Sequence, residues 1–181
     1  MTGGDMMKDS LDNSLLLIGF MGAGKTTIGK TLAEQMNRKF IDIDEEIESS
    51  FGMSATEIFE RYGEPRFREK EHELIAGYIK KPDLIISVGG GAFLDVQTRE
   101  SALQACTVIH LAISWECWKE RISDLVENRP NLRGKDINAM RQLFEERQEI
   151  YQANHIEVLT DNMGIEEAAA TIIKKIKDRK G

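Results

Sequence analysis

Leu15-Leu16-Leu17-Ile18-Gly19-Phe20-Met21-Gly22-Ala23-Gly24-Lys25-Thr26 is an apolar run that passes directly into the pattern G-x-x-x-x-G-K-[ST]. Four consecutive aliphatic residues suit a strand covered on both faces, and a glycine-rich turn ahead of a helix gathers backbone N–H groups where the helix dipole already favours an anion. The stretch therefore predicts a P-loop. Residues Gly22, Ala23, Gly24, Lys25, Thr26 and Thr27 are expected to cradle phosphate oxygens, with Lys25 adding a point charge for the β- and γ-phosphates and the Thr26 hydroxyl supplying an oxygen to Mg²⁺. A nucleotide is the implied ligand.

Outward from this stretch, strand and helix patterns alternate to the end of the chain, which predicts parallel strands joined by crossover helices in a layered α/β domain. Five short apolar segments, at 15–18, 39–43, 84–88, 108–111 and 156–159, are the expected strands. The 181 residues suffice for one well-buried domain. With 41% hydrophobic and 30% charged residues the composition is that of a globular protein without a membrane span, and residues 1–13 read as a frayed N-terminus, not a signal peptide. A cytoplasmic protein is expected. The balance of 24 basic against 31 acidic residues, net −7, argues against a general nucleic-acid surface, so anions must be captured locally. Lys174, Lys175, Lys177, Arg179 and Lys180 read as a solvated face. Cys106 and Cys117 lack metal-ligand or C-x-x-C spacing and read as reduced thiols. His72, His110 and His155 show no metal spacing either.

The segment between the second and third strands is too long for one crossover helix and predicts a small helical insertion at about 44–80. Ser54-Ala55-Thr56-Glu57 is a capping box, and Gly63-Glu64-Pro65 breaks that helix before Arg66-Phe67-Arg68-Glu69 starts another. A polar stretch at about 123–136, with Asn128, Arg129, Pro130, Asn131, Arg133 and Gly134, interrupts two helical patterns and reads as a lid.

Three further features carry chemistry. In Phe40-Ile41-Asp42-Ile43-Asp44 the period of two places both carboxylates on one side of a strand at its C-terminal end, the edge that faces the ligand crevice of a parallel sheet. Asp42 is a candidate for the Mg²⁺ shell through water, and Asp44 for a hydrogen bond to a substrate hydroxyl. The alternative is that the pair caps the helix containing Glu45 and Glu46. The third strand runs into Gly89-Gly90-Gly91, whose backbone can lie flat against a ligand or make a tight turn. Arg68, Arg129 and Arg147 stand in separate segments, and guanidinium forks recognise carboxylate and phosphate oxygens in pairs.

Taken in order, G-F-M-G-A-G-K-T-T-I-G, F-I-D-I-D, F-R-E-K-E, the triple glycine, N-R-P and R-Q-E-I-Y resemble the shikimate kinase family over about Leu15 to Ile173. The resemblance implies a three-layer P-loop kinase fold with a five-stranded parallel sheet in the order 2-3-1-4-5, a substrate-binding insertion, a mobile lid and a monomer. It implies that Asp44 bonds shikimate hydroxyls and helps activate the 3-hydroxyl, that Arg68 and Arg147 bind the carboxylate, and that Gly90 contributes backbone contacts. It also implies that Arg129 reaches the ATP phosphates. Glu71 is expected to orient Arg68, since i and i+3 share a helix face. The resemblance implies that Arg121 stacks on adenine, and the family's base contact near the last strand falls around Thr160-Asp161-Asn162 without a residue-level match. Two departures stand out: Pro130 is followed by Asn131 before the apolar Leu132, and the spacing from Arg121 to Arg129 is slightly stretched.

The implied reaction is ATP-dependent phosphorylation of shikimate to shikimate 3-phosphate and ADP in aromatic amino-acid biosynthesis, with Mg²⁺ and with Lys25, Asp44 and Arg129 as the catalytic residues. Two alternatives stay open at this point. One is another small-metabolite or nucleotide kinase, acting on gluconate or a nucleoside monophosphate. The other is a non-catalytic nucleotide-binding regulatory module.

Overall fold

The computed structural model describes residues 13–126, 136–179 and 181. Most of the segment expected to fray, and most of the expected lid with Arg129, lie outside the described residues. Strands β1 (Leu15–Ile18), β2 (Lys39–Asp42), β3 (Leu84–Ser87), β4 (Thr107–Ala112) and β5 (Ile156–Leu159) form one sheet. All neighbours are parallel, in the order β2-β3-β1-β4-β5, as the resemblance implied. The central β1 pairs on both sides, with Leu16 opposite Ile86 on β3 and Val108 on β4.

Alternation along the strands divides the core. Leu15, Leu17, Ile85, Ile109 and Val158 pack under helices α1 (Lys25–Met36) and α7 (Ile165–Asp178). Leu16, Ile18, Ile41, Ile86 and Val108 face the other layer. That layer contains α2 (Ile43–Phe51), α3 (Ala55–Tyr78), α4 (Val96–Ala105), α5 (Trp115–Val126) and α6 (Ile137–Tyr151), with a short 3₁₀ turn at Ala92–Leu94. Both faces of the sheet are covered, so the inner strands β1, β3 and β4 are buried almost throughout, whereas the edge strands β2 and β5 keep exposed residues. Among the described residues no helix is long and apolar enough to cross a membrane.

Two local expectations need correction. Asp44 is not on a strand: β2 ends at Asp42, whose Oδ1 accepts from the backbone N–H groups of Asp44 and Glu45 at 3.0 and 3.3 Å. Asp42 is thus the N-cap of α2, and Asp44 lies in the first turn, so helical geometry and not the period of two directs its carboxylate. The expected helix break contracts to one residue, Gly63, with φ 79° and ψ 165°, after which α3 resumes through Pro65. Pro65 is tolerated there because the first turn after a break has no obligatory N–H donors. The capping box forms as expected, with Ser54 Oγ accepting from Glu57 N and the Glu57 carboxylate accepting from Ser54 N.

Candidate active site

The C-terminal ends of β1, β2 and β3 deliver three pieces of the site to one sheet edge. After β1 the chain turns through Gly24, whose φ of 92° lies in the left-handed region and makes glycine the natural residue there, and α1 begins at Lys25. The loop is held from the far side by Trp118 of α5, whose Nε1 donates to Met21 O at 2.8 Å. Lys25 Nζ donates to Gly19 O at 2.6 Å and Phe20 O at 3.1 Å. Burial lowers its pKa to about 8, against the pull of Asp44 and Asp42.

Thr26 Oγ1 donates to Asp42 Oδ2 at 2.9 Å. A hydroxyl and a carboxylate in contact beside a phosphate loop are the hard oxygen donors that Mg²⁺ takes alongside nucleotide phosphates and retained waters, so the residues fit that ion. Among the described residues there is no cluster of three or more His, Cys, Asp or Glu that could hold a metal. A magnesium site here therefore needs oxygens from a nucleotide and from water.

Asp44 faces the cleft close to the triple glycine: a Cβ on Gly89 would stand 3.2 Å from Asp44 Oδ1. Burial and the neighbouring Asp42 raise the Asp44 pKa from its ordinary value, while Lys25 and Arg68 oppose the shift. Arg68, reached through the helical segment after Gly63, donates from Nη1 to Glu71 Oε1 at 2.8 Å, the i,i+3 pairing expected from the sequence. Glu71 is 4% exposed, and its second oxygen has no hydrogen-bond partner. Burial therefore raises its pKa even against the pull of Arg68. A Cβ on Gly91 would approach Arg68 Nη2 to 2.7 Å, so this backbone passes close against the guanidinium.

Arg147 enters from α6. Asp42, Asp44, Arg68, Glu71, Gly89, Gly90, Gly91, Arg147 and Tyr151 together line one cleft of about 470 Å³, which reaches the phosphate loop at Phe20 and Met21. Phe59 and Phe67, stacked with centroids 4.7 Å apart, supply an apolar wall. The structure therefore brings together Asp42, Asp44, Arg68, Gly90 and Arg147 around this cleft, with Lys25 and Thr26 at its phosphate-loop end. Arg121 Nη2 donates to Thr160 O at 3.4 Å, and Asp161 Oδ1 accepts from Ser114 N at 2.9 Å, so these segments adjoin without lining the cleft. Of the histidines, His110 is buried on β4 with Nδ1 3.0 Å from Glu157, and His72 meets Thr98 Oγ1 at 2.8 Å. Sequence reasoning gave no part to Trp118 or Tyr151. Tyr151 had a signal in its spacing, four residues after Arg147 and so on the same helix face.

The family model of shikimate kinase matches residues 21–177. The chain belongs to the shikimate kinase family. It is 46% identical over 166 residues to a shikimate kinase from Oceanobacillus iheyensis, covering 92% of this chain and 91% of that one. Over 167 residues it is 46% identical to a shikimate kinase from Bacillus subtilis, with 92% and 90% covered. A solved shikimate kinase from Acinetobacter baumannii, in complex with shikimate, superposes with a TM-score of 0.84 at 32% identity, covering 93% of this chain and 94% of that one. The likeness to this family thus extends beyond the phosphate loop to nearly the whole chain.

Proposed function

We propose that the chain transfers the γ-phosphoryl group of ATP to the 3-hydroxyl of shikimate, giving shikimate 3-phosphate and ADP in aromatic amino-acid biosynthesis. The observation that carries this reading is the cleft that is lined together by a carboxylate, Asp44, by the phosphate loop at Phe20 and Met21, and by two arginines, Arg68 and Arg147. A small anionic polyol needs that arrangement: guanidinium forks for its carboxylate, an acceptor for its hydroxyls, and a phosphate donor at the far end.

Backbone N–H groups from Gly22 to Thr27 cradle the phosphates, and Lys25 turns its ammonium onto the β- and γ-oxygens. Arg68, braced by Glu71, and Arg147 clamp the shikimate carboxylate, while the Gly90 backbone lies against the ring. Asp44 accepts the proton of the 3-hydroxyl as the oxygen bonds to the γ-phosphorus and the bond to the β-phosphate oxygen breaks. Its raised pKa suits that role, because a carboxyl nearer neutrality takes a proton more readily. Thr26 would hold Mg²⁺ directly and Asp42 through water; the ion supplies neutralisation of charge on the phosphate oxygens. From sequence order alone, Arg129 is assigned to the same charge during transfer, within a lid at about 123–136. The helical segment at about 44–80 is assigned as the substrate-binding insertion. A monomer in the cytoplasm completes the reading.

The test is ADP release with Mg²⁺ and ATP, in the presence of shikimate, gluconate, nucleoside monophosphates or no acceptor, with the product identified by mass. Shikimate-dependent ADP release with shikimate 3-phosphate formed is the expected result. ADP release driven by another acceptor, or by none, overturns the assignment of the acceptor and of Asp44, Arg68 and Arg147.

A further inference from the structure

Tyr151 has no role in the reaction as derived above, yet its side chain is among the most deeply buried in the molecule, with 1% of the residue exposed. Its hydroxyl donates to the carbonyl oxygen of Gly90 at 2.7 Å, across 61 positions of sequence. Burial pushes the phenol's pKa up, so the group remains a donor at any working pH. Behind the ring stands the imidazole of His110 on the central sheet, with centroids 5.1 Å apart. His110 is itself 2% exposed and is held at Nδ1 by Glu157. The phenol is thus a strut between the rigid sheet and the glycine run.

What the strut fixes follows from peptide geometry. The described residues contain no cis peptide, so the N–H of Gly91 points opposite to the Gly90 carbonyl, away from Tyr151. Gly91 itself runs close against Arg68. A Cβ on Gly90 would stand 3.6 Å from Gly19 O and 3.7 Å from Met21 N, so the same glycine also abuts the phosphate loop. Arg147 lies one turn before Tyr151 on α6, on the same face. One hydrogen bond therefore ties together the helix that carries one arginine, the backbone beside the other, and the edge of the phosphate loop.

We propose that Tyr151 is a positioning residue for the acceptor: by holding the Gly90–Gly91 peptide to α6, its hydroxyl aligns the acceptor pocket with the phosphate loop. The inference rests on the function proposed above. Tyr151 acts through Gly90 and Arg147 and makes no bond to the reacting atoms.

Tyr151→Phe keeps the ring and its packing on His110 and removes only the donor. Wild type and variant are compared for kcat/KM with respect to shikimate, for the ADP dissociation constant by calorimetry, and for thermal midpoint. The expected result is a fall in kcat/KM for shikimate of about tenfold or more, with ADP affinity within about twofold, since small misplacements of a reacting group cost rate steeply. ADP binding also shows that the variant is folded. A shikimate kcat/KM within about twofold of wild type overturns the proposal, and so does an equal weakening toward both ligands, which is the mark of general loosening. A second arm uses Gly90→Ala, whose new methyl would stand 3.1 Å from the phenolic oxygen. Its penalty on shikimate turnover is expected to be smaller in the Tyr151→Phe background than alone, and strictly additive penalties count against the strut. If wild type itself shows no shikimate-dependent turnover, the proposed function fails and this inference fails with it. Wild-type activity with an unaffected variant removes the inference alone.

Discussion

At Asp44 two demands on one carboxylate conflict. Its position between Lys25 and Arg68 suits it to meet a substrate hydroxyl, but burial and the neighbouring Asp42 disfavour its charge. A group whose folded pKa is raised in this way stabilises the fold only where it is protonated, and that contribution is lost as pH rises through the folded value. At neutral pH the ionised Asp44 is therefore a cost to the ligand-free protein. Asp44→Asn keeps the shape and removes the charge, so we expect a higher thermal midpoint at pH near 7 together with a loss of turnover of about 100-fold or more. A lower midpoint in ligand-free melts would show that Lys25 and Arg68 hold the carboxylate in net favourable contact. At this scale the sequence was legible wherever partners are close along the chain. Arg68 and Glu71 meet because they are three apart on one helix face. The Glu71 oxygen left without a partner and the Tyr151 bond to Gly90 depend on contacts between distant segments, which no local pattern encodes.

The elements carry these residues by their ends and their breaks. In β2 the alternation Ile41-Asp42-Ile43-Asp44 reads as a continuing strand, yet the chain turns helical at Ile43. The competing signal was capping: Asp42 bonds the first free N–H groups of α2, and Asp44, Glu45 and Glu46 populate the dipole-favoured first turn. Gly63 is the corresponding device inside α3. Its φ of 79° and ψ of 165° fall in a region that is essentially glycine's alone, and the kink sets the direction of the segment bearing Arg68 and Glu71. Gly63→Ala is expected to destabilise the fold by about 1–3 kcal/mol, the cost of a side chain in that backbone region. Denaturant melts test this directly, with an unchanged midpoint as the result that contradicts it. Among the described residues a Cβ there would meet only Pro65 Cδ, at an ordinary 3.6 Å, so crowding does not confuse the outcome. The break itself was readable from Gly63-Glu64-Pro65, whereas its confinement to a single residue was not.

For the whole molecule, the alternation of strands and helices was enough to predict a layered α/β domain, while the strand order came from family likeness and not from periodicity. Pairings such as β4 with β5, about 47 positions apart, leave no local trace, and one of them carries a titrating group. His155 extends that pairing twice over: its N–H donates to Val108 O at 2.9 Å, and its Nδ1 accepts from Val108 N at 2.9 Å. An imidazole that accepts at Nδ1 loses the bond when that nitrogen is protonated. Burial, with Arg179 nearby, lowers the His155 pKa below 6.5, and burial lowers that of His110 as well, against the pull of Glu157. For both groups the unfolded chain binds protons more readily than the fold does, so stability rises with pH across that window and is lost as pH falls below about 6.5. Asp44 and Glu71, with raised pKa values, work in the opposite sense from the ordinary carboxylate range near 4 upward. They are common to wild type and to His155→Gln, which keeps an amide oxygen to accept from Val108 and does not titrate. We therefore expect the thermal midpoint of wild type to fall more steeply than that of His155→Gln between about pH 7.5 and 5.5. Parallel slopes would mean that folding does not depress the His155 pKa, and the sheet edge at His155 would then play no part in the acid response.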